Sequence, residues 1–274
     1  MQSAMGTTHS FSRRNLLRTI GASFVLDRLG SGVLADDPSH AKLTESADRG
    51  RRFLESLFDP ILGLLPEYRG AKVYWLFHDN YLAAKVLAGS NPALADKITS
   101  AIHRFGIDHS GKIEILFGEA KQPLPLRQYQ LNDVQHIGEK IVKTEIVRDT
   151  ILKGWQEYAD LLFFAAIAEP DPDQGRHHLD DALKLWDGTG FKDRVAAKHH
   201  QYATYKLALA LIAATKLGVK PQPQPAILER LLALQSKEGG WITDYDEQRK
   251  PLGMANVETT CLAILALDAV AKAL

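Results

Sequence analysis

The sequence predicts a mainly α-helical fold, an α/α toroid of about four outer–inner helical hairpins with a small inserted β-ribbon. Three observations predict it. Amphipathic segments alternate with segments that are apolar almost all round. Glycine-aromatic turns recur where the amphipathic segments stop. One interior stretch, about residues 107–148, loses the helical period. An amphipathic helix keeps one face in water, whereas a helix apolar on every face has to be surrounded. A hairpin that cannot bury its own inner helix must stack on its neighbours, so the hairpins are expected to close around a common axis.

Taken in order, residues 1–35 read as a twin-arginine signal peptide and 36–45 as a flexible N-terminus before a domain spanning 46–274. The signal is carried by Ser12-Arg13-Arg14-Asn15-Leu16-Leu17-Arg18, an apolar Thr19–Leu26 and a small-residue junction at Ala35-Asp36, with Asp27-Arg28 interrupting the apolar region. It predicts export to the periplasm or the exterior. The first outer helix, from Ser46 to Phe58, carries Phe53, Leu54, Leu57 and Phe58 on one face, and Pro60 and Gly63 stop it. Inner helix 79–88 follows and ends at Gly89. Asn91-Pro92 opens the second outer helix as a cap and a first-turn proline. In the insertion, 112–117 and 140–147 alternate as short strands, with Pro123 and Pro125 between them. The remaining hairpins pair outer helices near 175–186 and 226–235 with inner helices near 151–168, 198–217 and 256–273. Gly188-Thr189-Gly190-Phe191 and Gly239-Gly240-Trp241 supply equivalent turns, and aligning Gly190 on Gly240 sets a spacing of 50 residues.

Composition narrows the function classes. The 274 residues are 45% hydrophobic and 24% charged with formal net charge zero, an ordinary globular balance. The first 35 residues carry +3 (Arg13, Arg14, Arg18 and Arg28 against Asp27), leaving −3 for the rest. No basic face emerges, which argues against nucleic acid as a partner. No apolar run reaches the ~18 residues of a transmembrane segment. Cys261 is the single cysteine, so neither an intrachain disulfide nor a cysteine-based zinc site is possible. Phosphate-loop, nucleophile-elbow and paired-histidine zinc motifs are missing. His177-His178 with Asp180-Asp181, and His199-His200, do not assemble a third ligand, because adjacent helical residues point about 100° apart. The expectation is no metal and no cofactor.

Gln235-Ser236-Lys237-Glu238-Gly239-Gly240-Trp241 resembles the Q-x3-G-x-W repeat of the terpenoid cyclase and protein prenyltransferase α/α-toroid superfamily. The opening Asn256-Val257-Glu258-Thr259-Thr260 is similar to inner helices of that group. The resemblance implies that Gln235 caps an inner helix while stacking on a neighbouring repeat's tryptophan. The catalytic motifs of the family's known enzymes are not present: there is no D-x-D-D, no D-D-x-x-D and no Asp/Cys/His zinc frame. Function therefore has to be argued from the site.

Polar residues collect where the inner helices begin: Asp79, Asn80 and Tyr81; Glu157, Tyr158 and Asp160; His200, Gln201, Tyr202 and Thr204; Asn256, Glu258 and Thr259. Stacked in parallel, these openings converge on one polar mouth, rimmed by Trp75, Trp155 and Trp241, at which helix N-termini add free N–H groups. Glu258, Tyr202 and Asp79 are the candidate catalytic groups. Asn80, Trp75, Tyr158, His200, Asp244 and Asn256 are the candidate ligand-binding groups. Glu114, Glu119 and Glu145 sit on the insertion, placed to fold over the mouth if they do not simply form the wet face of a strand. Capping alone also accounts for many of these residues. The leading expectation is an exported protein that binds a small-molecule or oligosaccharide ligand, polar and carbohydrate-like, at the mouth. Whether it cleaves that ligand is left open. Two other readings stand beside it, an isoprenoid-binding cyclase-like protein and a non-catalytic scaffold for another protein.

Overall fold

The computed structural model describes residues 38–107, 110, 112–119 and 127–274. The export signal, the Ala35-Asp36 junction and the prolines expected inside the insertion lie outside the described residues. Within them the fold is mixed α and β, and the α/α toroid with a small ribbon is not what the chain builds. Two three-stranded sheets accompany the helices. One has the order β1-β3-β2, from Val73–Trp75, Lys140–Ile151 and Arg127–Ile137. The other has the order β4-β5-β6, from Gln201–Ala203, Ile242–Asp246 and Pro251–Ala255.

The helices largely follow the periodicity of the sequence. α1 (Pro38–Ser56), α3 (Pro92–Arg104), α5 (Pro172–Leu183) and α8 (Gln224–Ala233) are the amphipathic ones. α2 (Leu82–Leu87), α4 (Ala159–Ala168), α7 (Thr204–Lys216) and α9 (Val257–Lys272) are buried along most of their length. α6 (Arg194–His199) is a short extra turn. α1 starts well before Ser46, and the stretch expected to be flexible is helical from Pro38 because Leu43 and Ala47 are core residues. The buried helices pack in the order α2, α9, α7, α4. Beyond them, α4 packs on a 3₁₀ helix at Ile113–Phe117, and β3 packs on the turn that opens α2.

Where the chain departs from the expectation, the reason is local. Residues 112–117 read as a strand with Glu114 outward, but the segment winds as a 3₁₀ helix with Ile113, Glu114 and Ile115 all buried. The Glu114 carboxylate is turned inward to accept from the Ser110 N–H at 2.6 Å and the Ser110 hydroxyl at 2.8 Å. β3 pairs instead with Arg127–Ile137 on one side, antiparallel, and with β1 on the other, parallel at Val73↔Ile141 through Trp75↔Lys143. The loop between Trp241 and Asn256 forms the β5–β6 hairpin, and β4 takes up residues 201–203 that were expected to be helical.

The Gly239-Gly240-Trp241 turn is a packing device. Trp241 is fully buried, its indole N–H donates to the Leu231 carbonyl at 2.8 Å and its backbone N–H to the Thr260 hydroxyl at 2.9 Å. Gly239 has φ +101° and lies where a Cβ would meet the Arg49 carbonyl oxygen at 2.5 Å, a position only glycine fits. The Gln235 amide donates to the carbonyls of Ser46 (2.8 Å) and Gly239 (2.7 Å). It thereby ties the turn to α1 rather than capping an inner helix. Among the described residues no helix is long and apolar enough to cross a membrane.

Candidate functional site: an imidazolium among carboxylates

The site begins with an irregularity. After β1 the chain enters α2 through a π-helical turn, Leu76–Tyr81, a widened turn that recurs at functional sites. Asn80 fixes it. Its Oδ1 accepts from the Leu65 N–H at 2.7 Å, and its Nδ2 donates to the carbonyls of Leu65 (3.0 Å) and Trp75 (2.8 Å). The turn presents two consecutive residues, His78 and Asp79, to the first turn of α9.

His78 is gripped from both sides. Its Nε2 lies 2.7 Å from Glu145 of β3 and its Nδ1 lies 3.2 Å from Glu258 of α9. The three side chains are 14%, 12% and 26% exposed respectively, so Glu258 is the one most open to solvent. Burial disfavours charge on the imidazole, but the Glu258 charge and the Glu145 hydrogen bond outweigh it and push its pKa up to about 10. Both ring nitrogens therefore carry protons at neutral pH and donate. Burial likewise opposes ionisation of Glu145, yet the bond and charge of His78, with Lys112 nearby, hold it below the usual glutamate range.

Two more carboxyls face this group. Asp79 is 1% exposed, and its Oδ2 has no hydrogen-bond partner among the described residues. Burial first, then the charges of Glu258 and Glu67, push its pKa well above the ordinary aspartate value, although the Glu258 backbone N–H donates to it. Glu67 is half-buried in the loop before β1. Its N–H donates to the Val73 carbonyl and its carbonyl accepts from the Val257 N–H, both at 2.9 Å, so the residue is pinned between β1 and α9. Its carboxylate accepts from the Trp75 side chain; burial raises its pKa, the Glu258 charge adds to this, and Lys143 offsets only part. Lys143 also sits over the Trp75 ring, 5.7 Å from its centroid. The Tyr205 hydroxyl of α7 donates to Asp160 of α4 at 3.3 Å. Burial, with Asp160 and Glu258 beyond it, holds that phenol protonated well above its usual range.

Of the helix openings, those carrying Asp79 and Glu258 are neighbours, through the Glu258 backbone N–H, while Asp160 is joined to them only through Tyr205. Glu145 reaches His78 from β3 of the inserted ribbon. Other candidates are used elsewhere. Asn80 spends its amide on the turn, and Asn256 caps α9 by accepting from the Thr259 N–H at 2.9 Å. Tyr202 is buried against Tyr245, its hydroxyl donating to Asp187 rather than entering the mouth. Tyr158 is half-buried at the N-terminus of α4 under the Arg194 guanidinium. His200 is 72% exposed and reaches only Glu247, at 3.3 Å. Asp244, on β5, has its pKa raised by burial despite a Thr243 hydrogen bond, and its charged neighbour is Lys206. Glu119 bonds to Tyr81 and Lys85 on another face. Trp155 packs edge-on against His178, and Trp241 belongs to the core.

Sequence reasoning missed Glu67, His78 as a site residue, and Tyr205. Tyr205 had a usable signal, since it follows Thr204 at an inner-helix opening. Glu67 had none, because it sits in a loop whose contact with α9 is set by tertiary packing. No protein-family model matches the chain, and no curated protein matches it.

Proposed function

We propose that the protein is exported and binds a polar, carbohydrate-like ligand at the mouth formed by Trp75, His78, Glu145, Tyr205 and Glu258, where it is equipped to cleave that ligand by acid–base chemistry. The observation that carries this reading is the Glu258 carboxylate. One of its oxygens is engaged by the His78 imidazolium and the side chain is 26% exposed, while the half-buried Trp75 is bonded to its neighbour Glu67. A fixed carboxylate accepts hydroxyl protons, an aromatic face takes the C–H face of a sugar ring, and the two together suit a polyhydroxylated ligand. The lining favours this over an isoprenoid, which needs continuous apolar walls. For bond cleavage, a carboxylate held by a hydrogen bond and open to solvent is placed to accept a proton from water.

The test is thermal denaturation of the mature protein with a panel of neutral oligosaccharides (gluco-, xylo-, manno- and chito-hexaoses), repeated with Glu258→Gln. A rise in Tm with at least one of them, lost in the folded variant, supports the reading. A shift that survives Glu258→Gln unchanged removes Glu258 from the site, and no shift with any of them removes the sugar reading.

A further inference from the structure

The π-helical turn that brings His78 and Asp79 to α9 also supplies two aromatic side chains to a second, separate pocket. Phe77 and Tyr81, with ring centroids 5.7 Å apart, line a half-enclosed cavity of about 420 Å³ between α2 and α3. The two helices are joined by a short loop, 88–91, closed by the Asn91 N–H on the Leu87 carbonyl at 2.7 Å, so they pack antiparallel. Asp96 therefore lies near the closed end of the hairpin, and Phe77 and Tyr81 lie at the other end with Ile102. One helical turn separates Asp96 from Thr99, about 4.5 Å by the helical rise.

The floor of this cavity is apolar, formed by Phe77, Ala84, Ala95 and Ile102, and two opposite charges flank it from opposite walls. On α2, the Lys85 ammonium donates to Glu119 at 2.6 Å and stands over the Tyr81 and Phe117 rings, 5.2 and 5.5 Å from their centroids. An ammonium has three protons, so donors remain for a ligand. Glu119 is committed on both oxygens, since the Tyr81 hydroxyl donates to the second at 2.8 Å. On α3, the exposed Asp96 carboxylate and Thr99 hydroxyl make no side-chain hydrogen bond or ion pair among the described residues. A donor-rich cation facing an open carboxylate across an apolar floor is complementary to a small molecule with both charges on an apolar body. We infer that this pocket binds a free α-amino acid with an apolar side chain. Its carboxylate meets Lys85, its ammonium meets Asp96 and Thr99, and its side chain lies along the floor toward Phe77 and Ile102. The volume is at the small end of ligand sites and suits a single amino acid. This site is independent of the sugar reading of the His78 mouth, and neither depends on the other.

The experiment is a titration of the ¹⁵N-labelled full chain, followed by amide NMR, with L-leucine, L-isoleucine, L-methionine and L-phenylalanine. Two truncated leucines follow: 4-methylpentanoate, which lacks the ammonium, and 3-methylbutylamine, which lacks the carboxylate. Saturable shifts are expected with at least one amino acid, centred on α2, α3 and residues 76–81. Asp96→Asn should weaken leucine about tenfold and leave 4-methylpentanoate unchanged; Lys85→Gln should weaken leucine about tenfold and leave 3-methylbutylamine unchanged. Asp96→Glu and Lys85→Arg, which keep the charges, should retain most of the affinity. Saturable shifts with none of the four amino acids, or shifts centred elsewhere, overturn the site. Amino-acid binding that ignores Asp96→Asn, or equal losses on leucine and both analogues, overturns the pairing of charges and with it the ligand class.

Discussion

His78 makes a sharp prediction about pH. Its pKa is raised from the ordinary 6.5 to about 10, so the folded state holds a proton that the unfolded chain releases. For a group raised in this way the stabilisation is complete below pH 6.5 and is lost as pH climbs toward 10. At 1.36 kcal/mol per pH unit of displacement, the full effect is on the order of 4–5 kcal/mol, of which ~3 kcal/mol disappears between pH 6.5 and 9.5. The side chain is 14% exposed, so solvent screens only a small part of this. Asp79 pulls in the same direction, because a carboxyl raised by burial and by Glu258 costs stability as pH rises above its unfolded value. That cost begins near pH 4, where His78 contributes no slope. The tyrosines stay protonated in the folded state, so the unfolded chain begins to ionise them only at the top of this window, and His78→Gln carries the same small contribution.

The assay is urea denaturation at half-unit intervals from pH 6.5 to 9.5, for wild type and His78→Gln. Wild type is expected to lose stability steadily across the range. His78→Gln should be less stable at pH 6.5, since it leaves Glu145 and Glu258 facing each other without the cation, and its curve should be flatter. Parallel curves for the two proteins would falsify the claim that an imidazolium sits between the two carboxylates.

Three further outcomes are expected. Trp241→Ala should cost ~3–5 kcal/mol by calorimetry, the range for truncating a buried aromatic; a Tm within a degree of wild type would show that the turn does not anchor α1 and α8. Asp79→Asn should raise stability at pH 7 by ~1 kcal/mol or more, because it removes a buried ionisable group opposed by Glu258 and Glu67 while keeping an acceptor for the Glu258 N–H. A destabilised Asp79→Asn at pH 7 would contradict that. If residues 1–35 direct export, Arg13→Lys with Arg14→Lys should leave the precursor in the cytoplasm of a host with the twin-arginine pathway, and unchanged secretion would end that proposal.

The sequence carried the helices better than the sheets. Leu, Ala and Ile on every face of 204–216 and 257–272 could only mean burial, and Asn91-Pro92 marked the start of α3 by its own chemistry. The strands had weaker signals. β4 is three residues long, and β5–β6 reads as a polar loop because its side chains are mostly half-exposed on both faces. The strand expected at 112–117 failed because alternation assumes that a glutamate faces water, and Glu114 is buried on Ser110 instead. The site followed the same division. Residues placed by their own helix, Asp79, Asp160 and Glu258, were legible. Those delivered by a partner element were not: Glu67 arrives through a bridge between Tyr68 and Asn256. His78 acquires its meaning only when Glu145 comes down from β3.

A second buried ion pair is satisfied in a way the His78 cluster is not. Lys206 and Asp193 are more deeply buried, with side chains 4% and 0% exposed. There every acceptor is used. One Asp193 oxygen takes the N–H groups of Val195 and Ala196 at 3.1 Å each, and the other takes the Ala159 N–H at 3.1 Å and the Lys206 ammonium. That carboxylate caps α6, secures the start of α4 and has no capacity left, as stability alone would demand. Around His78 the accounting is different. Glu145 and Glu258 both bond to one imidazolium beside Asp79, and among the described residues an Asp79 oxygen and the Tyr129 hydroxyl near Glu145 have no hydrogen-bond partner. Selection for stability would replace Asp79 with an apolar residue or an asparagine. A fold that satisfies one buried charge completely can do so for another, and a local conflict that persists is expected where binding or catalysis needs it. Hence the Lys206 pair reads as architecture, and the contrast is what recommends the His78 cluster as the site we propose.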